Sequence, residues 1–143
     1  MRTTLAKLQS PTFLFLCMLV ITSMTASNMA YAGDDKTING KLRNDITTSM
    51  EEYITKQTID GKLFVFDAVQ NKLLELTDGK LRKNITKDGE FYITCADYTD
   101  QNGHKVDLDF LVKPSGEIQV TTQTVVHAVN DKYRPYHVSD RNN

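Results

Sequence analysis

The sequence predicts an α+β fold in which one N-terminal amphipathic helix packs on a curved antiparallel sheet of four to five strands in meander order. Apolar residues recur at helical spacing within residues 41–57. From Gly61 onward the apolar period changes to two, and dipeptides typical of turns separate the runs. We place a single domain at residues 41–138, between a flexible tail at residues 33–40 and a frayed tail at residues 139–143.

Residues 1–32 have the pattern of a secretory signal peptide. Basic residues precede an apolar run, which gives way to small and polar residues and then to Ala30-x-Ala32. The apolar run is shorter than the roughly 20 residues of a membrane span. We therefore expect cleavage between Ala32 and Gly33, a periplasmic or extracellular location, and no stable membrane insertion after cleavage. A retained N-terminal anchor is the alternative.

Charge and cysteine content restrict the function classes further. The formal net charge is −1 and no basic patch with interleaved aromatics stands out, so we expect no nucleic-acid partner. Cys17 lies in the predicted signal peptide, which leaves Cys95 without an intrachain disulfide partner. We expect Cys95 to be a small buried hydrophobe in an apolar strand. An intermolecular disulfide and a reactive thiol are the alternatives.

The helix is indicated by one apolar stripe on a 3.6-residue period. Its members are Leu42, Ile46, Met50, Tyr53 and Ile54. Several β-branched residues lower the intrinsic helix propensity of this segment, so the helix should depend on docking to another surface.

The first strands follow the helix. Residues 62–69 are aromatic and β-branched and predict a strand. Residues 71–86 fit a short helix or a continued strand, and we favour a strand. Asp78-Gly79 and Asp88-Gly89 are typical of hairpin turns, which would make residues 80–86 a short connecting strand or loop.

A hairpin around Asn102-Gly103 is the clearest strand pair. Placing Tyr98 opposite Lys105 puts Cys95 on the apolar face, which we expect to meet the helix. The same register places Asp107 and Asp109, with Tyr98, on the outer face of a one-sided sheet, where we expect the two acids to be solvated.

The last strands carry two further signals. The apolar parity changes near residues 122–124, which predicts a bulge or a bend. Pro135 cannot donate to a ladder, so the final strand should lie at an edge. We expect this edge to bind a partner through Tyr133, Arg134 and Tyr136, or to form a homodimer.

The order of elements resembles the cystatin-like and nuclear-transport-factor-like α+β architectures. A more specific resemblance is to small secreted bacterial domains with a hairpin of the type "CADYTD…GHKVDLDFLV" followed by "VVHAVNDKYR". The resemblance covers residues 63–134 and implies a fold rather than an activity, because those domains have no assigned activity. The inhibitory Q-x-V-x-G loop of cystatins is absent from this sequence.

No metal or cofactor site is predicted. Placed on an EF-hand template, the Asn102-Gly103 loop lacks the first acidic ligand and has Asp109 where a glutamate is needed. His127 and His137 do not align across the last hairpin, which argues against a histidine pair. No nucleophile elbow, phosphate loop or zinc-spaced Cys/His set is present.

Two function hypotheses remain. The first is an exported, non-enzymatic module that binds a protein, a peptide or a small ligand. The second is a small enzyme of the nuclear-transport-factor-like type with a pocket between sheet and helix. In it Asp107 or Asp109 is the general base, and the substrate is oriented by Tyr92, Tyr98 or His127.

Overall fold

The computed structural model describes residues 33–135, which form one helix and one antiparallel sheet. The sheet has seven strands in the order of the chain, so every sequential pair of strands is a neighbouring pair. The helix is α1 (Gly40–Gln57), and the strands are β1 (Thr58–Ile59), β2 (Lys62–Asp67), β3 (Lys72–Asp88), β4 (Phe91–Asp100), β5 (Lys105–Ser115), β6 (Ile118–Val129) and β7 (Lys132–Tyr133). Among these residues, no helix is both apolar enough and long enough to cross a bilayer.

The predicted fold class is wrong in two respects. The sheet has seven strands instead of four to five. Part of the additional count comes from β1, which is two residues long and therefore too short to show a period of two. Strand β7 is also two residues long, and it lies where the sequence predicted the final edge strand. The helix begins at Gly40 and is thus not N-terminal in the chain. The meander order and the presence of one amphipathic helix are confirmed.

The helix packs through the apolar stripe that the sequence indicates. Ile46 and Met50 are buried, and Tyr53 places its ring edge-on to Phe110 of β5 at a centroid distance of 6.2 Å. Ser49 adds a polar link to β6, because its hydroxyl accepts the backbone N–H of Thr121 at 2.7 Å. We call the sheet face that meets α1 the inner face and the opposite one the outer face.

Strand β3 is continuous where the sequence indicates a turn. Asp78 has a positive φ of 57°, but Asp78 and Gly79 form a bulge between the pairs Thr77↔Thr99 and Lys80↔Asp97. The predicted turn at this dipeptide is therefore wrong, whereas the strand favoured over a helix is confirmed. The hairpin at Asp88-Gly89 is also confirmed, because Asp88 pairs with Phe91.

The register of the β4–β5 hairpin differs by one residue from the predicted one. Tyr98 pairs with Val106, and Lys105 pairs with Thr99. Asp100 explains the difference: its carboxylate accepts the backbone N–H groups of Asn102 and His104, each at 2.8 Å, and thereby stabilises a loop that is one residue longer than the predicted one.

This shift exchanges the two faces of β4 and leaves β5 as predicted. Tyr98 packs in the apolar core of the inner face with Val106, whereas Cys95 points away from the helix. The prediction that Cys95 faces the helix is wrong. Asp107 and Asp109 lie on the outer face as predicted, but they are 9% and 0% exposed, so the prediction that they are solvated is wrong.

The sheet curls until β2 approaches β6, which is not its neighbour in the hydrogen-bonded order. We call the place where β2 and β6 approach each other the seam. A buried ion pair between Asp67 of β2 and Arg134, which follows β7, links the two sides of the seam. Asp67 is 0% and Arg134 is 6% exposed. The terminal strands β1 and β7 have two residues each and pair with only two residues of β2 and β6, respectively.

Candidate functional site

A polar cluster lies on the outer face of the central strands, where the sequence led us to expect solvated acids. We call it the acid–thiol cluster. Its members are Arg82 of β3, Cys95 and Asp97 of β4, Asp107 and Asp109 of β5, and His127 of β6.

Strand pairing brings the central residues of this cluster together. In the observed register Cys95 lies directly opposite Asp109, and Asp97 lies directly opposite Asp107. Residues i and i+2 of one strand project from the same face, and opposite residues of neighbouring strands have Cβ atoms about 5 Å apart. The four side chains therefore form a compact square on the sheet surface.

Asp109 is the centre of the cluster and is fully buried. The Cys95 thiol donates to its Oδ1 at 3.0 Å, and the His127 Nδ1 lies 2.9 Å from its Oδ2. A carboxylate only accepts, so the proton of this imidazole contact belongs on Nδ1. The ring of Tyr133 packs edge-on against His127 at a centroid distance of 5.0 Å.

His127 lies at a bulge in β6. Asp107 pairs with Ala128 and Leu108 pairs with Val126, so His127 is an extra residue in this strand, on the same face as Val125, which pairs with Asp109. The sequence gave no sign of this bulge. The bulge predicted near residues 122–124 is confirmed by the register shift beside Val112.

Arg82 lies in a bulge of β3, separate from the one at Asp78-Gly79, and reaches Asp97 and Asp107. Three residues of β3, beginning with Arg82, stand opposite Cys95 alone, between the pairs Leu81↔Ala96 and Ile85↔Thr94. The Arg82 guanidinium donates to both carboxylate oxygens of Asp97, at 2.6 and 3.0 Å, and reaches Asp107 Oδ2 at 3.0 Å. Its side chain is 17% exposed, so these ion pairs are largely shielded from water.

The electrostatics of the cluster keep the thiol protonated. Burial raises the pKa of Cys95, and the charge of Asp109 raises it further. Burial also raises the pKa of Asp107 to about 6, although Arg82 opposes the shift. The hydrogen bonds from Arg82 hold the pKa of Asp97 below its usual value.

This arrangement differs from that of a thiol hydrolase. A catalytic cysteine needs a base that takes its proton and surroundings that favour the thiolate. Here Asp109 lies between Cys95 and His127, and its charge disfavours the thiolate. The cluster is instead suited to holding a cation or to supplying a carboxylate as a proton acceptor.

An apolar groove adjoins the cluster on the outer face, at the seam between β2 and β6. It has a volume of about 410 Å³, and its walls include Phe66, Ala68, Leu111 and Val125. Val125 pairs directly with Asp109 across the strands, so the wall of the groove adjoins the acid–thiol cluster at Asp109.

The other predicted site residues lie in different places. Tyr98 is on the inner face, away from both acids, so its predicted role beside them is wrong. Arg134 is buried in its ion pair with Asp67 and does not offer its guanidinium to a partner, which corrects its predicted place on the binding edge. Tyr133 is 43% exposed.

Some predictions fall outside the described residues. These concern Tyr136, His137 and the cleavage-site residues Ala30 and Ala32. Gly33, the residue after the predicted cleavage, is exposed.

Comparisons with protein-family models, curated proteins and solved structures return no match to this chain. The resemblance to cystatin-like and nuclear-transport-factor-like domains therefore stays a prediction.

Proposed function

We propose that this chain is an exported, non-enzymatic module that binds a small apolar ligand in the groove between β2 and β6. Export rests on the signal peptide predicted at residues 1–32. The observation that carries the binding proposal is the groove itself, whose volume of about 410 Å³ falls within the range of roughly 300–1,000 Å³ that is usual for small-molecule sites.

Exposed apolar side chains beside the groove support this proposal. Phe66, on the groove wall, is 56% exposed, and Leu73, which pairs with it across β2 and β3, is 53% exposed. Phe64, two residues before Phe66 on the same face of β2, is 37% exposed. Contiguous apolar side chains on the surface of a small protein typically mark a binding site.

The predicted binding edge at β7 is short, which favours the groove over β7 as the binding site. A two-residue edge offers an extended peptide few backbone groups to pair with. A homodimer formed through such an edge stays a prediction, which the oligomeric state in solution would test.

The proposal is tested with Phe66→Ser and with the control Ile59→Ser, which alters a residue of β1 that is 63% exposed and outside the groove. The probe is 1-anilinonaphthalene-8-sulfonate, followed by fluorescence and displaced with decanoate. Burying a phenylalanine against a ligand contributes roughly 1.5–3 kcal/mol. We therefore expect Phe66→Ser to weaken probe binding by about tenfold or more and Ile59→Ser to leave it unchanged. Equal affinities in the two variants would refute the groove as the site.

A second candidate is an enzyme that uses Asp107 as general base, and one observation favours it. Both outer-face acids are shielded from water, and Asp109 pairs with a residue of the groove wall, so a bound substrate would lie near a carboxylate. A panel of p-nitrophenyl esters and glycosides tests it. Turnover above the buffer rate that is lost in Asp107→Asn and kept in Asp97→Asn would favour this candidate over a binding module.

A further inference from the structure

Three potential metal ligands converge on the outer face. Cys95 Sγ and one carboxylate oxygen from each of Asp107 and Asp109 lie within 4.8 Å of one another. Zn–S and Zn–O bonds of about 2.3 and 2.0 Å separate the ligand atoms of a tetrahedral site by roughly 3–4 Å. The contact between Cys95 Sγ and Asp109 Oδ1, at 3.0 Å, is already close to that separation. Small adjustments of the side chains are enough to enclose one ion.

A separate observation points to a missing ligand at this place. Asp107 Oδ1 is buried and has no hydrogen-bond partner among residues 33–135. Asp107 as a whole is 9% exposed, and its other oxygen is engaged by Arg82 at 3.0 Å. Leaving a carboxylate oxygen buried without a partner is costly, and a bound cation would remove that cost.

The charges around the three ligands favour a cation as well. Asp97, Asp107 and Asp109 bring three carboxyl groups into the cluster. Arg82 donates to two of them, and Lys105 Nζ lies 3.8 Å from Asp97 Oδ1 at the edge of the cluster. The contacts of Asp109 within the described part of the chain are a thiol and an imidazole. The cluster therefore has more acidic groups than guanidinium groups to balance them.

We propose that Cys95, Asp107 and Asp109 bind one divalent transition-metal ion of the Zn²⁺ class. A cysteine sulfur selects Zn²⁺ and related ions over Mg²⁺ and Ca²⁺, which prefer oxygen ligands alone. The ion takes the place of the thiol proton between Cys95 Sγ and Asp109 Oδ1, and that proton is released to solvent. His127 is a positioning residue, because its contact with Asp109 Oδ2 directs Oδ1 toward the metal.

The test uses Co²⁺ as a spectroscopic substitute for Zn²⁺ in the full chain. Cys17→Ser is introduced throughout, so that Cys95 is the remaining thiol, and a phosphine keeps it reduced. We expect one equivalent of Co²⁺ to produce a sulfur-to-cobalt charge-transfer band, which Zn²⁺ abolishes by displacement. Cys95→Ser should remove the band, and Asp107→Asn should weaken Co²⁺ binding by more than about tenfold.

The matched control is His104→Ala, which removes an imidazole at the hairpin end whose side chain is 48% exposed. It should leave the band and the affinity unchanged. The absence of a charge-transfer band at saturating Co²⁺ overturns the proposal, and so does binding that is lost in His104→Ala but kept in Asp107→Asn.

Circular dichroism reports whether each variant folds. If the ligand variants do not fold, X-ray absorption of the Zn²⁺-loaded Cys17→Ser chain decides instead. We expect one sulfur together with oxygen neighbours in its first shell. A first shell without sulfur overturns the proposal.

Discussion

Breaking the buried ion pair between Asp67 and Arg134 by changing one partner should cost more stability than breaking a surface ion pair among residues 33–135. Asp67→Asn removes the charge but keeps an oxygen that can accept the backbone N–H of Val69, a contact of 3.0 Å in the native turn. The guanidinium of Arg134, which is 6% exposed, then loses its charged partner. The variant therefore isolates the ion pair from the local turn.

The expected loss follows from this burial. Breaking a buried ion pair by removing one partner costs about 3–5 kcal/mol, and the amide oxygen of the substituted asparagine retains part of the hydrogen bonding. We expect a loss near the lower limit, about 3 kcal/mol, out of the roughly 5–15 kcal/mol of a typical domain. For a domain of this size that corresponds to a fall in Tm of about 12–24 °C.

Urea denaturation of the full chain, followed by circular dichroism, measures this loss. Arg134→Met in the Asp67→Asn background should recover most of it, because no unpaired charge then remains buried. The control is Glu75→Gln, which breaks the Lys62–Glu75 pair, whose side chains are 46% and 41% exposed, and it should change stability by at most about 1 kcal/mol. A loss below about 1 kcal/mol for Asp67→Asn, or no recovery in the double variant, would refute the reasoning.

Three further predictions concern the outer face and the β3 bulge. Gly79→Ala should destabilise the fold by about 1–3 kcal/mol, because its Cβ would lie 2.6 Å from the ring of Tyr98. Tyr98→Leu should relieve that clash in a double variant, and a fully additive loss would contradict it. Asp107→Asn should gain stability relative to the wild type as the pH rises from 4 to 7 in EDTA. The pKa of Asp107 is raised to about 6 in the folded state, whereas its value in the unfolded chain is near 4. The folded state therefore binds the proton more tightly, and the stability that this gives the wild type is fully present below pH 4 and is lost as the pH rises through 6. The difference, read from urea midpoints, should reach roughly 2 kcal/mol, and a pH-independent difference would contradict the assignment. Native Cys95 should react slowly with iodoacetamide at pH 8 and rapidly in urea, because burial and Asp109 raise the pKa of its thiol. Equal rates would show that the thiol is accessible.

The sequence predicts those helices, strands and turns of this fold that are determined by local residue patterns. The stripe that includes Ile46 and Met50 locates the helix, because helix burial follows from a 3.6-residue period. The Asp88-Gly89 turn locates a hairpin, because those residues tolerate the backbone conformation of a tight turn. The two-residue strand β1 could not be predicted in this way, since a period cannot be read from two residues.

The pattern of apolar residues alone could not predict the register of the β4–β5 hairpin. The predicted register puts Cys95 with the apolar residues of β5, and the observed one puts Tyr98 and Ala96 there instead. Each register gives the apolar face of β5 several apolar neighbours on β4, so hydrophobicity alone does not decide between them. The carboxylate of Asp100 does distinguish them, because it accepts two backbone N–H groups of the loop in the observed register. The sequence does contain a signal for this loop, namely the aspartate directly before Gln101-Asn102-Gly103.

The sequence indicated Asp107, Asp109 and His127 as one candidate set, but it did not indicate that Arg82 and Cys95 join them. Arg82 and His127 both reach the cluster from bulges, at positions where one strand has more residues than its neighbour. Val125 pairs with Asp109, so strict alternation would place His127 on the same outer face, directly opposite Asp107. The extra residue instead leaves His127 between the pairs of Val126 and Ala128, where its ring meets Asp109 Oδ2. Alternation therefore predicts the face of His127 correctly, whereas the bulge determines which of the two acids the imidazole contacts.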